Sequence, residues 1–215
     1  MLRVFAVSLL MTGTFLVADE PGSAILAAPA GWGGETIGLP PGFAPDMKLK
    51  GSEHIRFAPG MMKPESDSFF CYAFVFELQP EPVLTQAVIK AEFLKYYRGL
   101  CKAVLKETLP DVDPSAFTFQ LQRVNSDAKR ATGEEDADTP TQNGLYIGRL
   151  DWVEPFATAK SQVLHFEIQA WTDPKTERGY LFVGTSPQEV SDATAIWKEM
   201  RRIRSEFKVE ATATK

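Results

Sequence analysis

Residues 69–78, FFCYAFVFEL, are apolar at both parities: Phe70, Tyr72, Phe74 and Phe76 on one side, Phe69, Cys71, Ala73 and Val75 on the other. A strand of that kind lies inside a sheet with something packed on each face. The stretch SQVLHFEIQAW, 161–171, is different, because Leu164, Phe166, Ile168 and Ala170 alternate with His165, Glu167, Gln169 and Trp171. That period of two marks a strand with one buried and one polar face.

The same reading predicts strands over 53–59, 116–124, 144–154 and 179–185, with one short strand at 35–39 in a Gly/Pro-rich lead-in. Residues 81–110 carry helical spacing instead. Leu84, Ala87, Ala91, Leu94, Cys101 and Leu105 form a stripe bordered by Tyr97 and Val104, with Pro82 suited to the first turn and Pro110 beyond the end. Gly99 within this helix points to a close backbone approach to the sheet. A closing helix is expected after Ser186-Pro187-Gln188-Glu189, which has capping-box spacing, with Ser191 as a second possible cap. Its apolar stripe is Ala193, Ile196, Met200, Ile203 and Phe207.

The elements therefore run β-β-α-β-β-β-β-α: an α+β domain with an antiparallel sheet of about six strands, a long central helix and a C-terminal helix. No motif names a family. The element order is similar in layout to exported PsbP-like domains, and layout does not fix function.

The N-terminus changes the picture of where the chain works. Arg3 precedes an apolar run from Val4 to Ala18, followed by small residues, which is the plan of a secretory signal peptide. Cleavage is expected within residues 1–30, near Ala18 or Ala30, leaving an exported domain over 31–215 that works in the periplasm or outside the cell. The run is short for a membrane span, and nothing later is long and apolar enough for one. A net charge of -5 argues against nucleic acid as a partner, leaving an unknown protein or small molecule. The one basic cluster, Arg201-Arg202-Ile203-Arg204, reads as a solvated helix face.

Chemistry is sparse. The chain has two histidines and lacks the usual nucleophile, zinc, phosphate-loop and dinucleotide motifs, so no cofactor, metal or catalytic residue is implied. The acidic residues Glu134, Glu135, Asp136 and Asp138 lack EF-hand spacing and read as a solvated loop. His54, beside Glu53 and Arg56, reads as a surface strand position. Strand and helix rise bring Cys71 and Cys101 level if the helix folds back over its strand, which makes a disulfide possible in an exported protein.

The polar face of 144–154 and 162–171 is the candidate site. A five-residue loop, 156–160, sets Arg149 opposite Glu167 and Asp151 opposite His165, whereas a three-residue loop sets Asp151 against Glu167. The charge pattern favours the first. Arg149 would meet an anion, Gln169 and Trp171 would form a platform near Tyr180, and Asp151 with His165 could move a proton. The function expected is a non-catalytic binding domain. The alternative is a small extracytoplasmic hydrolase or metal-dependent enzyme using Asp151, His165 and Glu167.

Overall fold

Tyr72–Pro80 lies inside a seven-stranded antiparallel sheet, with apolar side chains leaving it on both faces. The computed structural model describes residues 24–105, 112–124 and 143–209. In chain order the strands are β1 (Ala24–Ile25), β2 (Gly33–Leu39), β3 (Gly51–Phe57), β4 (Tyr72–Pro80), β5 (Thr118–Val124), β6 (Asn143–Glu154), β7 (Lys160–Thr172), β8 (Arg178–Ser186) and β9 (Lys208–Val209). Helix α1 spans Gln86–Leu105 and α2 spans Ala195–Glu206. The sheet order is β2-β3-β4-β8-β7-β6-β5, and β1 pairs with β9 separately. The short lead-in strand is the seventh member of the sheet, so the α+β architecture stands as expected.

Each face of the sheet carries one helix. Tyr72, Phe74 and Phe76 project into a large aromatic core under α1, where Phe93 stacks on Phe119 at 5.4 Å and meets Phe166 edge-on at 5.9 Å. The α1 stripe is rotated from the predicted one. Ile89, Phe93, Tyr96, Tyr97, Cys101 and Leu105 are buried, while Ala87 and Ala91 face solvent. Large rings bury more apolar area than alanines, and so they decide which side of the helix turns inward. Gly99 does mark a close approach, but to a loop: a Cβ there would lie 2.3 Å from the Phe43 carbonyl oxygen.

On the opposite face α2 covers only the middle strands. Trp197, Met200 and Ile203 pack on Ala73, Val75, Tyr180 and Phe182, with Leu26 completing this smaller core. A Cβ at Gly184 would come within 3.2 Å of the Trp197 ring, so glycine lets the helix settle onto the sheet. The helix starts later than predicted, at Ala195 after Thr194. Ser186 Oγ accepts from Gln188 N, and Ser191 Oγ from Ala193 N, so both serines order the crossing rather than cap the helix. Trp197 Nε1 donates to the Gln188 carbonyl and pins that crossing. Among the described residues, no helix is long and apolar enough to cross a membrane. The apolar N-terminal run and the acidic segment around Glu134 lie outside the described residues.

Candidate functional site

Strand alternation puts Arg149, Asp151, His165, Glu167, Gln169 and Trp171 on the α2 side of the sheet, as the pattern predicts. The register, however, is two residues away from the expected one. Arg149 stands opposite His165, Asp151 opposite Val163 and Ile147 opposite Glu167. The cause is Glu154. Its buried carboxylate accepts from the backbone N–H groups of Phe156, Ala157 and Thr158 and from the Thr158 hydroxyl. This cap closes the turn at Glu154 and Lys160, ahead of the loop that charge pairing favoured. A two-residue slip preserves the faces and changes every partner.

The expected pairs Arg149–Glu167 and Asp151–His165 are consequently not formed. Arg149 pairs with Asp151 along its own strand at 2.5 Å, and Thr118 Oγ1 donates to the same carboxylate at 3.3 Å. Both members of the pair are about 40% exposed, at 42% and 41%. Burial lowers the His165 pKa below the usual imidazole value. Glu167 is occupied by α2: Arg201 Nε lies 3.1 and 3.0 Å from its two oxygens, Arg201 Nη2 lies 2.7 Å from one of them, and Arg204 Nη1 lies 3.4 Å from the other. Hydrogen bonding to Glu167 raises the Arg201 pKa. The basic cluster is therefore split, with Arg201 and Arg204 turned to the sheet and Arg202 bonded to Glu199 and Glu206 on the solvent side. The sequence signal was present, since Arg201 and Arg204 flank the buried positions Met200 and Ile203. Among the described residues, no group of three His, Cys, Asp or Glu side chains is placed to hold a metal ion.

Gln169 and Trp171 are drawn away from Asp151 and His165 into a separate groove. It has a volume of about 930 Å³ and is lined by Asn143, Gln169, Trp171, Arg204, Phe207 and Leu84, among others. Trp171 stacks on Tyr180 at 5.2 Å and meets Phe207 edge-on at 5.7 Å, so the wall is aromatic. Trp171 pairs with Tyr180, as expected, and Gln169 with Phe182, across the hairpin that turns at residues 173–177. Asp173 holds that turn by accepting from Lys175 N and Thr176 Oγ1. Amides, an arginine and aromatic rings offer hydrogen bonds, a positive charge and a stacking surface there.

Two buried polar clusters were not anticipated. His54 is buried, not a surface residue: Nδ1 meets Thr36 Oγ1 at 3.2 Å and Nε2 meets Glu77 at 3.3 Å, with Arg178 3.4 Å from the other Glu77 oxygen. Glu53 points the other way, into the α1-side core, where it accepts from the Tyr96 hydroxyl at 3.0 Å. Burial pushes its carboxyl up to about 8. The possible disulfide is also absent. Cys71 and Cys101 are free and buried. Cys71 Sγ lies 3.1 Å from Ser186 Oγ, while Cys101 packs in the α1-side core. Tyr72 rather than Cys71 takes the inward position of β4, so the helix folds back over the tyrosine. Burial raises both thiols to about 11. Comparison with protein families, characterised proteins and solved structures gives no match.

Proposed function

We propose that this chain is an exported, non-catalytic domain that binds a small molecule in the groove beside Trp171. The observation that carries the reading is the convergence of Trp171, Gln169, Asn143 and Arg204 on one concavity. Aromatic and aliphatic walls suit a planar or apolar ligand body, and the Arg204 guanidinium suits an anionic group on it. Against the enzymatic alternative on Asp151, His165 and Glu167 stand the ion pairs that engage Glu167 with two arginines and Asp151 with Arg149.

The test is a thermal-shift screen of aromatic carboxylates, phosphate monoesters and oligosaccharides on the wild type, Trp171→Ala and Arg204→Gln. A ligand at a hundredfold excess over its Kd stabilises by about 2.7 kcal/mol. An aromatic carboxylate or phosphate ester that stabilises the wild type and neither variant supports the reading. A panel without a hit, or hits retained in full by both variants, contradicts it.

Export rests on the charged, apolar and small succession at the N-terminus. Of the two cleavage positions, the fold favours the one near Ala18. Leu26 is only 2% exposed in the α2-side core, and its carbonyl accepts from Arg56 Nε and Nη2. Cleavage after Ala30 would remove that contact together with β1. N-terminal sequencing of exported protein should find a start ahead of Ala24, and a start at Gly31 would contradict the assignment.

A further inference from the structure

The two edges of the sheet are finished differently. At β5, α1 takes up one carbonyl of the strand and one just before it: Gln86 Nε2 donates to the Leu121 carbonyl at 2.9 Å, and Arg98 Nη2 to the Phe117 carbonyl at 2.9 Å. Covering an edge in this way prevents it from pairing with another chain. On β2 the outward groups can be assigned from the neighbouring strand. Ala58 N donates to the Cys71 carbonyl and Gln79 N to the Lys50 carbonyl, so the even-numbered residues of β3 bond toward β4. Gly51, Glu53, Ile55 and Phe57 then bond toward β2, and their partners there are Leu39, Ile37, Glu35 and Gly33. The N–H and C=O groups of Gly34, Thr36 and Gly38 are left pointing outward. All three residues are exposed, and no strand among the described residues takes up this edge. The strand carries no lysine or proline to block it.

We propose that this edge pairs antiparallel with the β2 edge of a second copy of the chain, about a two-fold axis through Thr36. The strand fits this symmetry. Thr36 is the midpoint of Gly33–Leu39, so pairing about it matches the two strands end to end without overhang. Thr36 faces its own copy, Gly34 faces Gly38, and all three outward residues fall in hydrogen-bonded pairs. A Thr–Thr cross-strand pair is favourable, and the glycines add no side chain to that face, where the Arg56 guanidinium already fills the space over Gly34 and the space over Gly38 is open. On the other face Glu35 meets the partner's Ile37 rather than another acid. A foreign strand would satisfy the same backbone groups, but the self-complementary register needs nothing beyond this chain.

Light scattering across a concentration series tests the proposal on the full exported chain. The wild type should approach twice the monomer mass. Thr36→Val keeps the outward N–H and should also dimerise. Thr36→Pro removes an N–H that the monomer does not use, and should stay monomeric while folded. Hydrogen exchange gives a second readout that needs no variant. The amides of Gly34, Thr36 and Gly38 should become protected only as concentration rises, whereas those of Glu35 and Ile37 should be protected throughout. A monomer up to roughly 1 mM protein, a Thr36→Pro dimer, or a dimer in which those three amides stay unprotected would each overturn it.

Discussion

Glu53 and Glu167 are both buried glutamates on one sheet, but the two faces treat them in opposite ways. Among the described residues, Glu53, on the α1 side, has only the Tyr96 hydroxyl, and its second oxygen has no hydrogen-bond partner. Glu167, on the α2 side, is held by Arg201 and Arg204. A carboxyl without a cation in a closed aromatic core keeps its proton, whereas the one at the margin of the small core is held by arginines. The α1 face is thus a sealed core and the α2 face a partly open one. The groove lies on the open one, where Arg204 belongs both to the Glu167 cluster and to the groove wall.

The largest expected break is Phe93→Ala in the sealed core, where the ring meets Phe74, Phe76, Phe119 and Phe166. Loss of such a ring should cost about 3–5 kcal/mol in denaturant unfolding. Next is Glu53. Its folded carboxyl is raised to about 8, against an ordinary value of 4.5, so the folded chain keeps a proton that the unfolded chain loses. Its stabilising contribution is therefore complete below about 4.5 and disappears as pH rises through about 8. Urea titrations across that interval should show stability falling with pH in the wild type and a flatter profile in Glu53→Gln.

Arg201→Ala should cost about 2 kcal/mol, because it removes charge-assisted bonds to a buried carboxylate. Trp171→Ala, at a half-buried wall position, should cost about 1–2 kcal/mol while abolishing ligand binding. The smallest effect belongs to Asp151→Asn, whose exposed pair with Arg149 contributes about 0–1 kcal/mol. A cost near that of Arg201→Ala would mean that the two ion pairs are not as different as their burial implies.

The alternation of 161–171 was enough to sort every residue of β7 between the two faces, since a period of two does not depend on register. Pairing did depend on it, and it was fixed by Glu154, whose bonds to three turn amides leave no mark in the charge pattern. Hence Trp171 and Gln169 were legible as a platform, while Arg204 was hidden in a helix that reads as solvated. In α1 the alanines satisfied the spacing, but the rings at Phe93, Tyr96 and Tyr97 set the buried side by their area. His54 reads as exposed because neighbours in sequence say little about Thr36 and Glu77, which reach it from adjacent strands.

The proposed binding in the groove on the open face is tested most directly by amide chemical-shift mapping of ligands found by the screen. Perturbations are expected over Gln169–Thr172 and over 204–209, with the amides of Thr118, Arg149 and Asp151 unchanged. Perturbations centred on Asp151 and His165, or on Thr36 and His54, with the Trp171 groove silent, would contradict it.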